Sequence, residues 1–443
     1  MHDPTAAPST PYADYLPRLL AELEADIAAA EPLRSPHAGA SPDLRERARA
    51  EVEARAPDLF ALSHDIHANP ELGVDEHHAA AAVGRALEAC GRDVEIGGWG
   101  LDTAVHARVG SGGPRVAFLA EYDALPGIGH ACGHNVICAT AVGAFLATAA
   151  LVEEVGGTVE LIGCPGEEGG GGKEYIARAG GFDGVDAALM LHPFGADAAE
   201  HTWLGVRTVD VTFHGLPAHA AMMPHLGRNA LDAAVNAYLG LAQMRQHMLP
   251  GDRVHGIITD GGQKPNIVPE RAAVSVYLRS ADPGGLAELS SKATAVFEGA
   301  ALATGTRAEL AWDPCPVYLP VRNNHALAAR YADNLAGRGR KVLPRGVLPR
   351  ELTGSTDMGN VSVRVPGIHP LLAIAPPTVS IHSPEFTDWA ASSRADEATV
   401  DGAFGLAATA LDFLADDALR TSARDEFEAA GGAVDVDELL GGA

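Results

Sequence analysis

The stretch PRVAFLAEYDALPGIGHACGHNVICATAVGAFLATAALVEEV, residues 114 to 155, changes character twice. A short apolar run stops at Glu121 and Asp123, a Pro-Gly loop carries His130, Cys132 and His134, and a helix-like segment follows. Strand, polar loop and helix in this order are the repeating unit of an α/β domain built on a mainly parallel sheet. Three further runs end the same way: TVELIGCPGEE at Glu167 and Glu168, DAALMLH at His192, and HPLLAIAPPTVSIH near His382. Ligands of open α/β sheets bind beyond the carboxyl ends of the strands, so these endings are expected to share one rim.

The chain around this stretch has 443 residues, 47% of them hydrophobic, which is enough for two or three domains and too long for one ordinary core. Its 32 Lys+Arg against 58 Asp+Glu leave a net charge of −26, which opposes nucleic acid and anionic membrane and favours solubility. Five widely spaced cysteines, without a CxxC pair, support neither a disulfide framework nor a four-cysteine zinc module and suit a reducing, cytoplasmic compartment. The N-terminus lacks an export pattern, and no uncharged apolar stretch approaches membrane-spanning length. Residues 1–43 read as an extension, with one amphipathic segment, YLPRLLAELEADIAAA, before a Pro/Gly/Ser-containing stretch.

Adjacent acids usually mark a solvated turn, but Glu167 and Glu168 follow a buried-looking strand and precede Gly169 to Gly172. Glycines let the backbone turn sharply, so one carboxylate could meet a metal and the other the water beside it. GEEGGGGKE lacks the Gly-Lys-Ser/Thr spacing of a phosphate loop, and two carboxylates would repel phosphate. Two chemistries stay open for Cys132. As a nucleophile with His134 or His130 as base, it would leave Glu167, Glu168, His192 and His382 without a role. A metal site uses them all, since zinc accepts thiolate, imidazole and carboxylate together and two ions can share ligands.

Several motifs in order resemble the di-zinc amidohydrolases and metallopeptidases that include aminoacylases, hippurate and auxin-conjugate amidohydrolases and carboxypeptidase-G-type enzymes. They are LSHDIHANPELG, AEYDALPGIGHACGHN, GTVELIGCPGEEGGGG, ALMLHP, GLPAHAAMMPHLGRNALDA, KPNIVPE and GSTDMGNVS, spread over about residues 45 to 415. YDALPGIGHACGHN together with GSTDMGNVS looks most like the branch of β-alanyl-lysine dipeptidase and p-aminobenzoyl-glutamate hydrolase. Auxin-conjugate and hippurate members often carry Asp where this chain has Asn135, which weakens transfer of their substrates.

The resemblance implies that Cys132 bridges two divalent ions, with His134, Glu168, His192 and His382 completing the set; zinc is expected, with manganese or cobalt as substitutes. It also implies Glu167 as general base, Asp123 as the acid that orients a ligand, and His130 as a structural residue. His219 would stabilise the oxyanion, often across a dimer interface, while Asn266, Arg279, Ser355 and Thr356 are candidate substrate contacts.

From about residue 205, GVRTVDVTFHG alternates like an antiparallel strand, and VHGIITDGG and RAAVSVYLRS are strand-like. Between the first and second of these stretches Leu231, Val235, Tyr238, Leu239 and Ala242 lie on one helical face, read as core. The expected architecture is thus an N-terminal extension (1–43), a di-metal catalytic domain in two parts (44–204 and 316–443), and an inserted α+β lid and dimerisation domain (205–315). The expected function is hydrolysis of the amide bond of a small N-acyl amino acid or dipeptide by a homodimer. A thiol-dependent hydrolase using Cys132, or a non-catalytic dimeric binding protein on the same fold, is the alternative.

Overall fold

The computed structural model describes residue 12 and residues 14–349 and 352–440. Its larger sheet runs from edge to edge through Glu95–Ile96, Val105–Ser111, Gly157–Gly163, Arg115–Ala120, Ala187–Leu189 and Gly367–Ile368. The last four strands are parallel to one another, and the first two add an antiparallel margin. The parallel strands are buried on both faces: every residue of Gly157–Gly163 and Ala187–Leu189 is buried, including Glu160, which pairs with Arg115. A parallel sheet needs helices on its faces, and sequences that bury both sides supply no polar alternation.

Helix His134–Ala149 is buried at every position, packed against the sheet and against Pro42–Ala68 and Ser393–Ala415. The residue after Cys132-Gly133-His134 belongs to that packing. The Asn135 amide donates to Ser63 Oγ and to the Ala390 carbonyl, both at 2.9 Å. Ser393–Ala415 is long and apolar enough to cross a membrane, although Asp401 and Asp412 interrupt it, so it holds no uncharged stretch of that length. It is a core helix here: 89% of its apolar window is buried, and its Asp412 accepts from Arg330 and Asn334.

The second sheet is antiparallel, ordered Arg307–Trp312, Gly205–His214, Arg271–Ser280, Arg253–Asp260. Helices Ala230–Met244 and Pro283–Thr304 cover one face of it and pack on each other. The helix face read as core is instead the outer one. Val235, Tyr238 and Leu239 are 40%, 44% and 54% exposed, while Ala230, Ala233, Ala234, Ala237 and Leu241 are buried. Alanines let this helix lie close on its neighbours, and periodicity alone does not say which apolar face meets the sheet.

The amphipathic segment of the N-terminal extension forms helix Tyr15–Ala29 and packs on the body. Leu23 is buried in a cluster with Ala196, Trp203, Leu343, Leu348 and Leu371, so this helix backs a wall that ends near His192.

Candidate metal centre

The strand ends converge on one rim, as expected of them. Asp123 follows strand Arg115–Ala120 by three residues, and Glu167 and Glu168 lie just past Gly157–Gly163. His192 opens the short strand His192–Phe194, and His134 is the first residue of its helix. His382 arrives differently, nine residues beyond strand Leu371–Ala373, in a loop where its own backbone is left-handed at φ 61°. Its N–H donates to the Ala131 carbonyl at 2.9 Å, which fixes this unusual conformation beside Cys132.

Glycine makes the approach possible at two points. Gly133 has φ 76°, and a β-carbon there would meet the Pro193 ring at 3.0 Å. A β-carbon on Gly172 would lie 1.9 Å from the Pro165 carbonyl oxygen, so the turn that carries the paired acids cannot close with a larger residue. Tyr318 clamps the same turn: its hydroxyl donates to the Glu167 carbonyl at 2.5 Å and accepts from Gly169 and Gly171 N–H at 3.0 Å.

The donor atoms form overlapping groups. Cys132, His134 and His192 offer atoms within 4.8 Å of one another, and so do Cys132, Glu168 and His382. Cys132 belongs to both, and its sulfur lies 2.9 Å from His382 Nε2. His134 Nδ1 pairs with Asp123 Oδ1 at 2.9 Å, and Asp123 Oδ2 accepts from the Glu168 N–H at 2.8 Å. That leaves His134 Nε2 buried without a partner, as is Glu168 Oε1. His192 Nδ1 lies 2.7 Å from the Pro193 carbonyl, which leaves its Nε2 free. Two orphaned buried atoms and a mixed sulfur, nitrogen and oxygen donor set fit a pair of borderline divalent cations.

The surroundings push the neighbouring acids apart. Burial, with Glu121 and Glu168 nearby, drives the Glu167 carboxyl well above its ordinary range. Burial raises Glu168 as well, but the His382 imidazole, 3.4 Å from its Oε1, and the His134 charge more than offset this and hold it low. Burial takes His192 down to about 3, a neutral imidazole, and the Cys132 thiol upward. His130 is buried behind the rim with Nε2 on the Ile66 carbonyl, at 3.1 Å, the structural place expected for it.

The site opens on a cleft of about 990 Å³ between the two sheets. Cys132, Glu167, Glu168, His192 and His382 line its floor; Arg279, Ser355 and Thr356 line it too, with Arg279 Nη1 donating to Ser355 Oγ at 2.7 Å. The outer wall adds Arg253, His255 and Tyr277, which sequence reasoning does not single out, although His255 and Tyr277 lie in the strand-like stretches VHGIITDGG and RAAVSVYLRS and Arg253 directly precedes the first. His219 and Asn266 stand elsewhere. They are exposed on two neighbouring loops of the second sheet, joined by the bridge of His219 to Ile267 and by Ala220 N–H on the Asn266 carbonyl at 3.1 Å. Sequence reasoning also misses Glu121, Lys173 and Asp357 as a group, although they fall within AEYDALPG, GEEGGGGKE and GSTDMGN; all three are fully buried close to Glu167.

A shared thiolate, imidazoles, a ligand-type carboxylate and a second carboxylate left over are the equipment of a metal-dependent hydrolase. Known proteins of similar sequence and fold point the same way. The sequence model of the peptidase dimerisation domain matches residues 204–304. The Xaa-Arg dipeptidase of Mus musculus is 38% identical over 402 residues, spanning 87% of this chain and 92% of that protein. A p-aminobenzoyl-glutamate hydrolase polypeptide of Escherichia coli is 30% identical, spanning 85% of this chain and 93% of its own length. In fold, a Bacillus subtilis dinuclear metal binding peptidase from the M20 family matches with TM-score 0.61 at 22% identity, over 80% of this chain and 98% of that one. The chain belongs to the M20 peptidase family and is a hydrolase of amide bonds.

Proposed function

We propose that this chain is a dipeptidase or N-acyl amino acid hydrolase working with two divalent ions, of which zinc suits the donor set best and manganese or cobalt could substitute. Cys132 would be shared, with His134 and His192 on one side and Glu168 and His382 on the other. The observation that carries this reading is that Cys132 joins two donor groups, Cys132–His134–His192 and Cys132–Glu168–His382, that do not include Glu167, while Glu167 lies beside His134 and Glu168 on the cleft floor. Bound there, the ions supply carbonyl polarisation and a water acidified toward neutral pH.

The chain's own residues do the rest. Glu167 takes the proton of the attacking water and returns it to the leaving amine. Asp123 holds the His134 ring through Nδ1 and keeps Nε2 aimed at the centre. Arg279, steadied by Ser355, offers a fork for a substrate carboxylate, and Thr356 lies beside it. A dipeptide with a cationic residue is the substrate class we favour, on the strength of the Xaa-Arg dipeptidase relative and the acidic balance of the chain.

We also propose residues 205–315 as an inserted lid and dimerisation domain between the catalytic parts 44–204 and 316–443, in a cytoplasmic homodimer. Supporting this are the dimerisation-domain match, the open edge of strand Arg253–Asp260 with exposed Ile257 and Ile258, and the exposed face of Val235, Tyr238 and Leu239. In such a dimer His219 of the partner subunit would reach the oxyanion.

The test loads chelator-stripped protein with zinc or manganese, counts ions per chain, and offers a mixture of dipeptides, N-acyl amino acids and aryl-glutamates to mass spectrometry. Two ions per chain and loss of basic dipeptides are expected. Turnover that survives chelation but dies on alkylation of Cys132 would overturn the metal reading in favour of a thiol hydrolase.

A further inference from the structure

Next to the proposed base lies a second charged group that none of these roles uses. Glu121, Lys173 and Asp357 are completely buried, and none of them reaches the cleft wall. Lys173 Nζ donates to Glu121 Oε1 and to Asp357 Oδ1, and the Lys173 backbone N–H donates to Asp357 Oδ2 at 3.0 Å. Glu121, Asp357 and Glu167 each offer a carboxylate oxygen within 4.8 Å of the others. Glu121 Oε2 has no hydrogen-bond partner and faces His134 Nε2 at 3.6 Å. Three carboxylates at this spacing, all buried oxygen donors, are the ligand type a hard divalent cation takes. Here the positive charge comes from the protein instead. Burial alone would lower the Lys173 pKa, but Asp357 and Glu121 raise it above its ordinary value and keep the ammonium charged.

The three residues come from three segments that carry the site. Glu121 ends the strand that leads to Asp123, Lys173 follows the glycines after Glu168, and Asp357 follows Ser355 and Thr356. A plain structural ion pair would account for the burial. It would not account for Glu167 sharing the group or for the unpaired oxygen aimed at a proposed ligand. Buried charges of this kind cost desolvation that apolar residues avoid, so their presence calls for a purpose beyond stability.

We propose that the Lys173 ammonium is a built-in substitute for a third cation: it closes the Glu121–Asp357–Glu167 group to metal and holds Glu167 in register with the two proposed ions. Lys173 is then a positioning residue, acting on Glu167 through its charge while it hydrogen-bonds Glu121 and Asp357. This rests on Glu167 being the base, but the closed site can be tested without that assignment.

The experiment compares wild type with Lys173→Ala, both stripped, reloaded with Mn²⁺ alone, desalted and analysed for manganese per folded chain. Lys173→Ala should hold one more ion than wild type, and adding Glu121→Gln and Asp357→Asn should remove the extra ion. Its kcat should fall by about a hundredfold with KM within about threefold, the pattern of a misplaced group felt mainly in the transition state. An unchanged ion count, or wild-type kcat, would overturn the proposal. If Lys173→Ala does not fold, the uncharged set Lys173→Met, Glu121→Gln and Asp357→Asn leaves no buried charge uncompensated. It should bind the wild-type number of ions yet show the same kcat loss, and full activity in that protein would overturn the positioning role. A Glu167→Gln protein that keeps turnover would instead sink the base assignment and leave the ion count standing.

Discussion

His134 and His219 stand in opposite conditions within one chain. His134 is sealed on the rim, its ring fixed by Asp123 and its free nitrogen among the other donors. His219 is exposed on a loop of the second sheet, beside Asn266 and outside the cleft whose chemistry it is proposed to serve. The rim is complete within a single chain because parallel strands deliver their ends to one edge. The contribution of the proposed lid is incomplete by itself, and in the proposed dimer a second copy would finish it.

The largest expected effect lies on the finished side. Glu167→Gln should keep both metals and lose activity by about 10²–10⁴-fold, since a carboxamide cannot accept the proton. Glu168→Ala should lose metal as well as activity. Elemental analysis of the two proteins side by side checks the assignment, and equal metal loss in both would break it.

The unfinished side predicts a gain rather than a loss. Glu167→Gln and His219→Ala homodimers should each be nearly inactive. A heterodimer of the two holds one site lacking both groups and one site with both, so random exchange should restore about a quarter of wild-type sites. Activity after co-refolding, with heterodimer content measured separately, decides the matter. Heterodimers that form and stay inactive would place His219 in its own subunit's site. A smaller, related loss is expected from Leu239→Lys, which puts a charge on the 54% exposed apolar face. It should shift the protein toward monomer in sedimentation and lower activity in proportion, while the ion count per chain stays at the wild-type value.

The same contrast explains what can be read from the sequence. Cys132, His134, Glu167, Glu168 and His192 are legible because each follows or opens an apolar run, and the period of a strand tells where it stops. The face of Val235, Tyr238 and Leu239 is open to misreading because its apolar pattern is the same whether a sheet or another chain covers it. Lys173 escapes notice for a different reason. Its partners are 52 and 184 residues away, so nothing local distinguishes it from a solvated lysine after a glycine run.

The smallest effect on chemistry should come from Asn135, which stands where the resemblance to auxin-conjugate and hippurate enzymes leads one to expect Asp. Its amide nitrogen donates to Ser63 Oγ and the Ala390 carbonyl, and the residue does not line the cleft. Asn135→Asp cannot donate to the Ala390 carbonyl and buries a carboxylate against it. A buried polar group left unpaired costs about 1–3 kcal/mol, and a charged one more, so the thermal midpoint should fall. Substrate choice should not move, because preference is set by the cleft wall and this residue packs helix His134–Ala149 against its neighbours. The check is a dipeptide panel run below the melting transition, normalised to metal-loaded protein. An altered ranking of substrates at unchanged metal content would show that the back of the rim reaches the cleft after all, and would erase the division between a ligand side and a packing side of this helix.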